Sequence, residues 1–530
     1  MISRIKITGG NEKHMNGAEI LVKTLVDNNV EVCFANPGTS EVHLVAAIKN
    51  SEKIRPVLAL FEGVATGAAD GYGRMAGKPA ITLLHLGVGL MNGSANLHNA
   101  KRAKSPILNI IGDHPADHLH FNAPLTTDIK TIAAQVSDWV CSVPNTRTVG
   151  ADTARAVQAA SENNGQVATL ILPADVAWNE GAIPASILPK TQRAQVDEQI
   201  VKHVRNAFRK RTKIGILLRD DALINNGLQT AGKIAGATGA RLFSDTLYPR
   251  MRRGAGYPMV ERIPYRTEKA RELLMEIDVL VLVGAQPPVS FFAYPGENNS
   301  PMPASCKVIT LSHPHEDGPA ALEMLLSLLN IHQGSKGLIT KLALPDLPKE
   351  GQLTSEGVMR TVGRLLPPET IICDESISSG FPHYTLTATV QPHDMLQVTG
   401  GSIGCMLSAS IGAAIACPGR KVLCLVGDGS AMYTIQALWT IAREKLNITV
   451  VVYSNRNYAI LEQEIDLMHA TTEKIKKMPM LYLGDPDINW IKISQSMGIE
   501  AAQAETTKEF YNLFKTAMSG KSPFLIEAIV

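Results

Sequence analysis

The sequence predicts an α/β protein of three domains, each a mostly parallel sheet flanked by helices. Short apolar runs alternate with helix-period stretches along the whole chain, which is the pattern of strand-crossover-strand units. The 530 residues leave room for roughly three domains at ~150 residues each. Two polar, proline-bearing stretches, 184–198 and 342–354, divide the pattern. The boundaries expected are therefore 15–182, 196–342 and 355–530.

In the first domain, GAEILVKTLVDNN has helical period. It is followed by the short strand VEVCFA and the turn NPGTS. The strands PVLALF, AITLLHL, SPILNIIG and ATLILP come next. The middle domain offers KIGILLR, VLVLVGA and CKVITLS, and the third offers TIICDE, KVLCLVG, NITVVVYS and PFLIEAIV. No low-complexity tract or short-period repeat interrupts them.

Composition narrows the function classes. Hydrophobic residues are 45% and charged residues 19%, as in proteins with large buried cores. The formal net charge of +2 gives no reason to expect nucleic acid or an acidic membrane surface as a partner. The seven cysteines are scattered without C-x-x-C spacing, so neither a zinc site nor a redox pair is indicated, and they read as core residues of a reducing compartment. MISRIKITGGNEKHMNG lacks the apolar core of a signal peptide, and no apolar run reaches the about 18 residues of a membrane span. A cytoplasmic protein is expected.

The chemistry is concentrated in VLCLVGDGSAMYTIQALWTIAREKLNITVVVYSNRNYAIL, residues 422–461. An apolar strand ends in Gly427-Asp428-Gly429-Ser430, where open parallel sheets bind ligands. The glycines allow close backbone approach, and a helix expected from near Ala431 would direct N–H groups at an anion. Asp428 offers a hard oxygen ligand for Mg²⁺. Asn455 follows 27 residues later, at the end of the next strand. A diphosphate bridged to Mg²⁺ fits this arrangement. GDGS alone is a common turn, so the strand, helix, strand and second amide carry the specificity.

With these residues in place, the chain resembles the thiamine-diphosphate-dependent 2-oxoacid decarboxylase and acetohydroxyacid synthase superfamily over nearly its whole length. It is most similar to acetolactate synthase large-subunit-like proteins, with benzoylformate decarboxylase-like features in the site. The resemblance implies a pyrimidine-binding first domain, a Rossmann-like middle domain and a diphosphate-binding third domain. It implies Asp428, Asn455 and Asn457 as Mg²⁺ ligands, although Ser454 replaces the usual first Asn of the pair. The implied cofactor-binding set is Gly427, Asp428, Gly429, Ser430, Asn455, Asn457, Tyr458 and Ala459, with Gly401 and Ile403 from TGGSIGCMLSASIG. Ile403 would wedge under the bent cofactor; by pattern alone it reads as core.

The activating carboxylate is implied to be Glu62, at the junction of PVLALF and the small-residue helix EGVATGAADGYG. A carboxyl in an apolar pocket has a raised pKa and can share a proton, as cofactor activation needs. By itself Glu62 would read as a helix N-terminal carboxylate. The small residues after it permit close packing. In the family, the first domain of one chain meets the third of another, so a homodimer or homotetramer is implied. Thr39 takes the place of a substrate-contacting Ser, and His85 that of an active-site His; a core histidine is the alternative for His85. Leu461 falls where pyruvate decarboxylases carry a Glu, and is assigned to the substrate pocket. Phe291 falls where benzoylformate decarboxylases have a second pocket His. Glu462 and Glu464 lie on the segment covering the cofactor; Glu464 reads as an exposed helix carboxylate, with a pocket-facing orientation as the alternative. His114, His118 and His120 read as loop histidines. Arg219-Asp220-Asp221 follows a strand without a Gly-rich turn, so FAD is not expected.

The function implied is decarboxylation of a 2-oxo acid followed by transfer of the acyl unit to a second carbonyl. The alternatives are a simple 2-oxoacid decarboxylase releasing an aldehyde, and a non-catalytic cofactor-binding regulatory protein. An NAD-dependent dehydrogenase is excluded, since no G-x-G-x-x-G follows a strand with a ribose-binding acid placed after it.

Overall fold

A computed structural model describes residues 15–189, 191–210, 213–294, 296, 298–468 and 478–530. The leader reading made on the first 14 residues lies outside them. The strands are β1 (Val32–Asn36), β2 (Arg55–Leu58), β3 (Ala80–Leu84), β4 (Ile107–Asp113), β5 (Trp139–Ser142) and β6 (Val167–Pro173), then β7 (Ile214–Leu218), β8 (Arg241–Ser244), β9 (Arg250–Arg253), β10 (Glu261–Arg262), β11 (Val279–Val283) and β12 (Lys307–Ser312). The last six are β13 (Thr370–Glu375), β14 (His393–Gln397), β15 (Val422–Gly427), β16 (Ile448–Ser454), β17 (Glu500–Ala504) and β18 (Phe524–Ile529).

They form three sheets, ordered β2-β1-β3-β4-β6-β5, β10-β8-β7-β11-β12 and β17-β18-β16-β15-β13-β14-β9. Every pairing is parallel except β9 with β14. The central strands β3, β7, β11, β15 and β16 are buried along nearly their whole length, as continuous apolar runs covered by helices on both faces require. The crossed strand is a finding of its own. Arg250–Arg253 comes from the middle of the chain yet edges the third sheet, with Arg250 and Arg252 paired to Asp394 of β14. Among the described residues, no helix is long and apolar enough to cross a membrane. All seven cysteines are free thiols, four of them buried.

The first and third sheets are joined by two helices, Glu62–Ala76 and Met406–Ala416. Their backbones nearly touch. A Cβ on Gly71 would stand 1.9 Å from the Ala409 carbonyl oxygen, and one on Gly412 would stand 1.8 Å from that of Ala68. Only glycine permits this crossing. The small-residue stripe is thus used inside one chain, so chain association cannot be argued from it.

The same interface buries an ion pair. Arg74 donates from Nη2 and Nε to the Asp70 carboxylate at 2.5 and 2.7 Å, with both side chains almost fully enclosed. Its Nη1 reaches the carbonyl oxygens of Gln397 (2.6 Å) and Pro249 (3.2 Å). One guanidinium therefore ties together three stretches of the chain.

Candidate active site

Strand β15 ends at Gly427 opposite Tyr453 of β16, so the turns after the two strands leave the sheet side by side. Asp428 is buried. Its Oδ1 accepts from the Gly429 N–H at 2.8 Å, and its Oδ2 accepts from the Arg456 N–H at 2.7 Å. The second turn is closed by the Asn457 N–H donating to Asn455 Oδ1 at 3.0 Å. Burial pushes the Asp428 carboxyl up against the opposing effect of the two N–H donors. The helix expected from Ala431 begins instead at Asp428 and is broken into Asp428–Ala431, Met432–Thr434 and Ala437–Arg443.

One feature of this cradle fits a metal diphosphate. Asn457 Oδ1 is buried without a hydrogen-bond partner among the described residues, and a buried amide oxygen in that state is stabilised by a cation or donor. A Cβ on Gly429 would fall 2.4 Å from the Tyr458 ring, so glycine is what lets that ring pack against the first turn. Asp428, Asn455 and Asn457 carry hard oxygen donors, of the kind that suits Mg²⁺. Ser454, the departure from the Asn pair, is buried at the end of β16 beside Glu527.

On the first domain, β2 stops at Leu58, and the chain leaves the sheet through Phe61, which caps the helix starting at Glu62. Glu62 is buried, and its Oε2 accepts from Asn92 Nδ2 at 3.0 Å. Asn92 opens a row of asparagines on the helix Leu86–Ala103. Asn96 Nδ2 donates to the Gly63 carbonyl (2.8 Å), and Asn99 Nδ2 donates to that of Ser402 (2.7 Å). Asn99 Oδ1 accepts from the Gly400 and Ser402 N–H groups. The row links Glu62 to the loop carrying Gly401 and the half-buried Ile403. Sequence reading missed it, because asparagines at i, i+4 and i+7 look like an ordinary polar helix face.

The far side of that loop is held by Glu375. Its carboxylate accepts from the N–H groups of Gly404, Cys405 (2.9 Å) and Met406 (2.6 Å). Burial outweighs these three donors and raises its pKa from 4.5 to about 7. Between those values the native state holds a proton that the unfolded chain has released. Its contribution to stability therefore falls as pH rises through that window. Relative to Glu375→Gln, wild type is expected to lose about 3 kcal/mol between about pH 4 and about pH 8 in denaturant titrations. A flat difference would mean that the three donors cancel the cost of burial.

His85 lies between β3 and the helix Leu86–Ala103. Its Nδ1 is 2.9 Å from Glu41 Oε2 and 3.2 Å from Ser40 Oγ. Glu41 is fully enclosed, and it also accepts from the Gly38 N–H (2.8 Å) and Ser40 Oγ (2.6 Å). A carboxylate can only accept, so Nδ1 carries the proton and Nε2 is the acceptor of the neutral ring. Glu41 was not singled out from the sequence, although it stands in the NPGTSE turn itself.

The remaining residues are more dispersed. Thr39 is exposed beside this cluster, and Leu461 is 45% exposed on the helix Ala459–Leu467. Among the described residues, no hydrogen bond or ion pair joins Glu62 or His85 to Asp428. Glu464 corrects the expectation of an exposed helix carboxylate: it is buried and accepts from the Tyr294 hydroxyl at 2.8 Å. His118 and His120 are exposed, and His114 is half-buried. Asp220 pairs with Lys104 (3.3 Å) and Asp221 with Arg193 (2.5 Å), so the expectation of no FAD rests on the missing glycine turn rather than on free negative charge.

Residues 15–135 match the family described as "Thiamine pyrophosphate enzyme, N-terminal TPP binding domain", and residues 381–528 match its "C-terminal TPP binding domain". A Mycobacterium tuberculosis protein named "Putative acetolactate synthase large subunit IlvX" is 45% identical over 97% of this chain and 99% of its own length. The chain belongs to the thiamine pyrophosphate enzymes. Benzoylformate decarboxylase of Pseudomonas aeruginosa is 26% identical over 93% of this chain and 95% of its own. The solved structure of a Rhodococcus jostii RHA1 thiamine diphosphate-dependent 4-hydroxybenzoylformate decarboxylase superposes with a TM-score of 0.86, covering 97% of this chain and 99% of its own. At 21% identity that likeness establishes the fold alone. This thiamine pyrophosphate enzyme is thus of the acetolactate synthase and benzoylformate decarboxylase family.

Proposed function

We propose that this enzyme decarboxylates a 2-oxo acid and transfers the remaining acyl unit to a second carbonyl compound, an acetolactate synthase-like carboligation. The observation that carries the reading is the Asp428 carboxylate set against the Asn455–Asn457 turn with the Asn457 amide oxygen unpartnered. The 45% identity to a protein named for acetolactate synthesis supports ligation as the outcome. Asp428, Asn455 and Asn457 would hold Mg²⁺, and Gly427, Gly429, Ser430, Tyr458 and Ala459 the diphosphate. Thiamine diphosphate, when bound, supplies the nucleophilic carbon and the electron sink for loss of CO₂.

The chain's own residues would do the rest. Glu62 would supply a buried carboxyl, oriented by Asn92, as the proton-exchanging group. Ile403 presents an apolar wedge from a loop clamped at both ends. His85 offers Nε2 for proton transfer or substrate contact, with Glu41 fixing the ring. Thr39 and Leu461 border the substrate. By resemblance, the working unit is a cytoplasmic homodimer or homotetramer with the site between chains, acting on a small-molecule 2-oxo acid.

A second reading, simple decarboxylation to an aldehyde, is favoured by the His85–Glu41 pair and by the apolar Leu461. Product analysis with pyruvate, 2-oxobutyrate and benzoylformate, singly and in pairs, separates the two. Acetohydroxy acid is the expected product; aldehyde with little ligation product would establish the second reading. Dialysis against EDTA is expected to abolish CO₂ release and added Mg²⁺ to restore it. Full activity in metal-free protein would remove the metal assignment.

A further inference from the structure

Glu464 is a buried ionisable group that the proposed chemistry leaves unused. It is 8% exposed, one helical turn beyond Leu461. Its Oε2 accepts from the Tyr294 hydroxyl at 2.8 Å, while Oε1 is buried and has no hydrogen-bond partner among the described residues. A guanidinium beside Tyr294, that of Arg266, donates to Gln463 Oε1 at 3.4 Å, and no ion pair with Glu464 is formed among the described residues. Tyr265 completes the cluster, with its hydroxyl close to the Glu464 carboxylate and to the Tyr294 phenol. Burial together with Glu464 raises its phenol pKa, and burial and the same carboxylate push Tyr294 up to about 12, so both phenols remain protonated at neutral pH.

The cluster adjoins the candidate active site from both sides. Its helix follows directly on the Asn455–Asn457 turn. From the middle domain, the Tyr265 ring lies 5.4 Å from that of Phe291, and Phe291 Cζ would be 2.9 Å from a Cβ on Gly401, two residues before Ile403. Both phenols stand at this carboxylate, yet among the described residues no hydrogen bond to Oε1 is formed, so a ligand donor that reaches it gains a bond the protein leaves unmade. A second carboxylate would be repelled by it, so the 2-oxo acid must enter with its own carboxylate directed away.

We propose that Glu464 Oε1 is the specificity determinant for a 2-oxo acid whose far end carries a hydrogen-bond donor, a hydroxyl or an ammonium group. This inference rests on the thiamine-dependent decarboxylation proposed above. A site built to bond a substrate hydroxyl rejects the analogue lacking it far more strongly than an apolar pocket rejects an added hydroxyl.

The test compares benzoylformate with 4-hydroxybenzoylformate, and 2-oxopentanoate with its 5-hydroxy and 5-amino derivatives, by CO₂ release in wild type, Glu464→Gln and Glu464→Leu. Wild type is expected to favour a donor-bearing member by about 100-fold or more in kcat/KM, with the hydroxy and amino arms separating the two donors. Glu464→Leu is expected to abolish or reverse the preference. Melting of the cofactor-free protein with mandelate and 4-hydroxymandelate gives a readout independent of turnover; only the hydroxylated acid should raise the midpoint, and only in wild type. A preference unchanged by Glu464→Leu, or a wild type that favours the unsubstituted acids, overturns the proposal and leaves the thiamine reading standing. No CO₂ from any acid overturns both. Should Glu464→Leu not fold, Glu464→Gln, of nearly the same shape, decides by whether it lowers the preference.

Discussion

Glu62→Gln is expected to lower CO₂ release by about 10²–10⁴-fold while thiamine diphosphate still binds. The substitution is nearly isosteric, so the Asn92 contact and the helix start at Phe61 are retained. What it removes is a carboxyl able to gain and lose a proton in a buried position. Binding should persist because the proposed diphosphate cradle, Asp428 with Asn455 and Asn457, belongs to another domain. Calorimetric titration of the cofactor beside a CO₂ assay tests both halves. A rate within about tenfold of wild type would withdraw the role from Glu62. Unchanged function in cells would favour the non-catalytic regulatory alternative.

Arg74→Met is expected to destabilise the protein by about 3–5 kcal/mol. The loss is large because Asp70 stays behind, buried, accepting from Ser105 Oγ and facing the Cys405 thiol at 3.6 Å. The carbonyls of Gln397 and Pro249 lose their donor in the same step. Methionine fills much of the volume, so the effect is electrostatic rather than a cavity. The double variant Asp70→Leu with Arg74→Met should recover part of the loss, because the uncompensated charge is gone. Denaturant titrations measure both. A single variant within about 1 kcal/mol of wild type would show that water reaches and satisfies Asp70.

Strands were readable where burial was continuous and missed where polar residues are neutralised by partners distant in sequence. KVLCLVG and NITVVVYS became β15 and β16, and their order implied the neighbouring turns that bring Asp428 to the Arg456 N–H. By contrast, β14 reads HDMLQ and β9 reads RMRR. Neither has an apolar pattern. Both form because Asp394 accepts from Arg250 and Arg420, and from Arg252 as well, which makes their burial affordable only together. PVLALF runs past its strand for a related reason: Phe61 is extended but serves as a helix cap.

The site divides in the same way. Asp428 and Asn455 were nameable from residue type and position at strand ends, both of which are local properties, whereas Glu62, His85 and Asn457 were named through the family resemblance. Glu41, Asn92, Asn99 and Glu375 were not, because their parts consist only of what they touch. Glu464 shows the limit most clearly: its sequence context is that of an exposed helix, and Tyr294, 170 residues away, encloses it. The sequence by itself determined three α/β units and the residue types at their strand ends, because hydrophobic period and turn chemistry act over a few residues. Only the tertiary structure decided which polar groups are paired and which are left open, because hydrogen bonding in a buried environment depends on distance in space, and the partners come from strands and helices far apart in the chain.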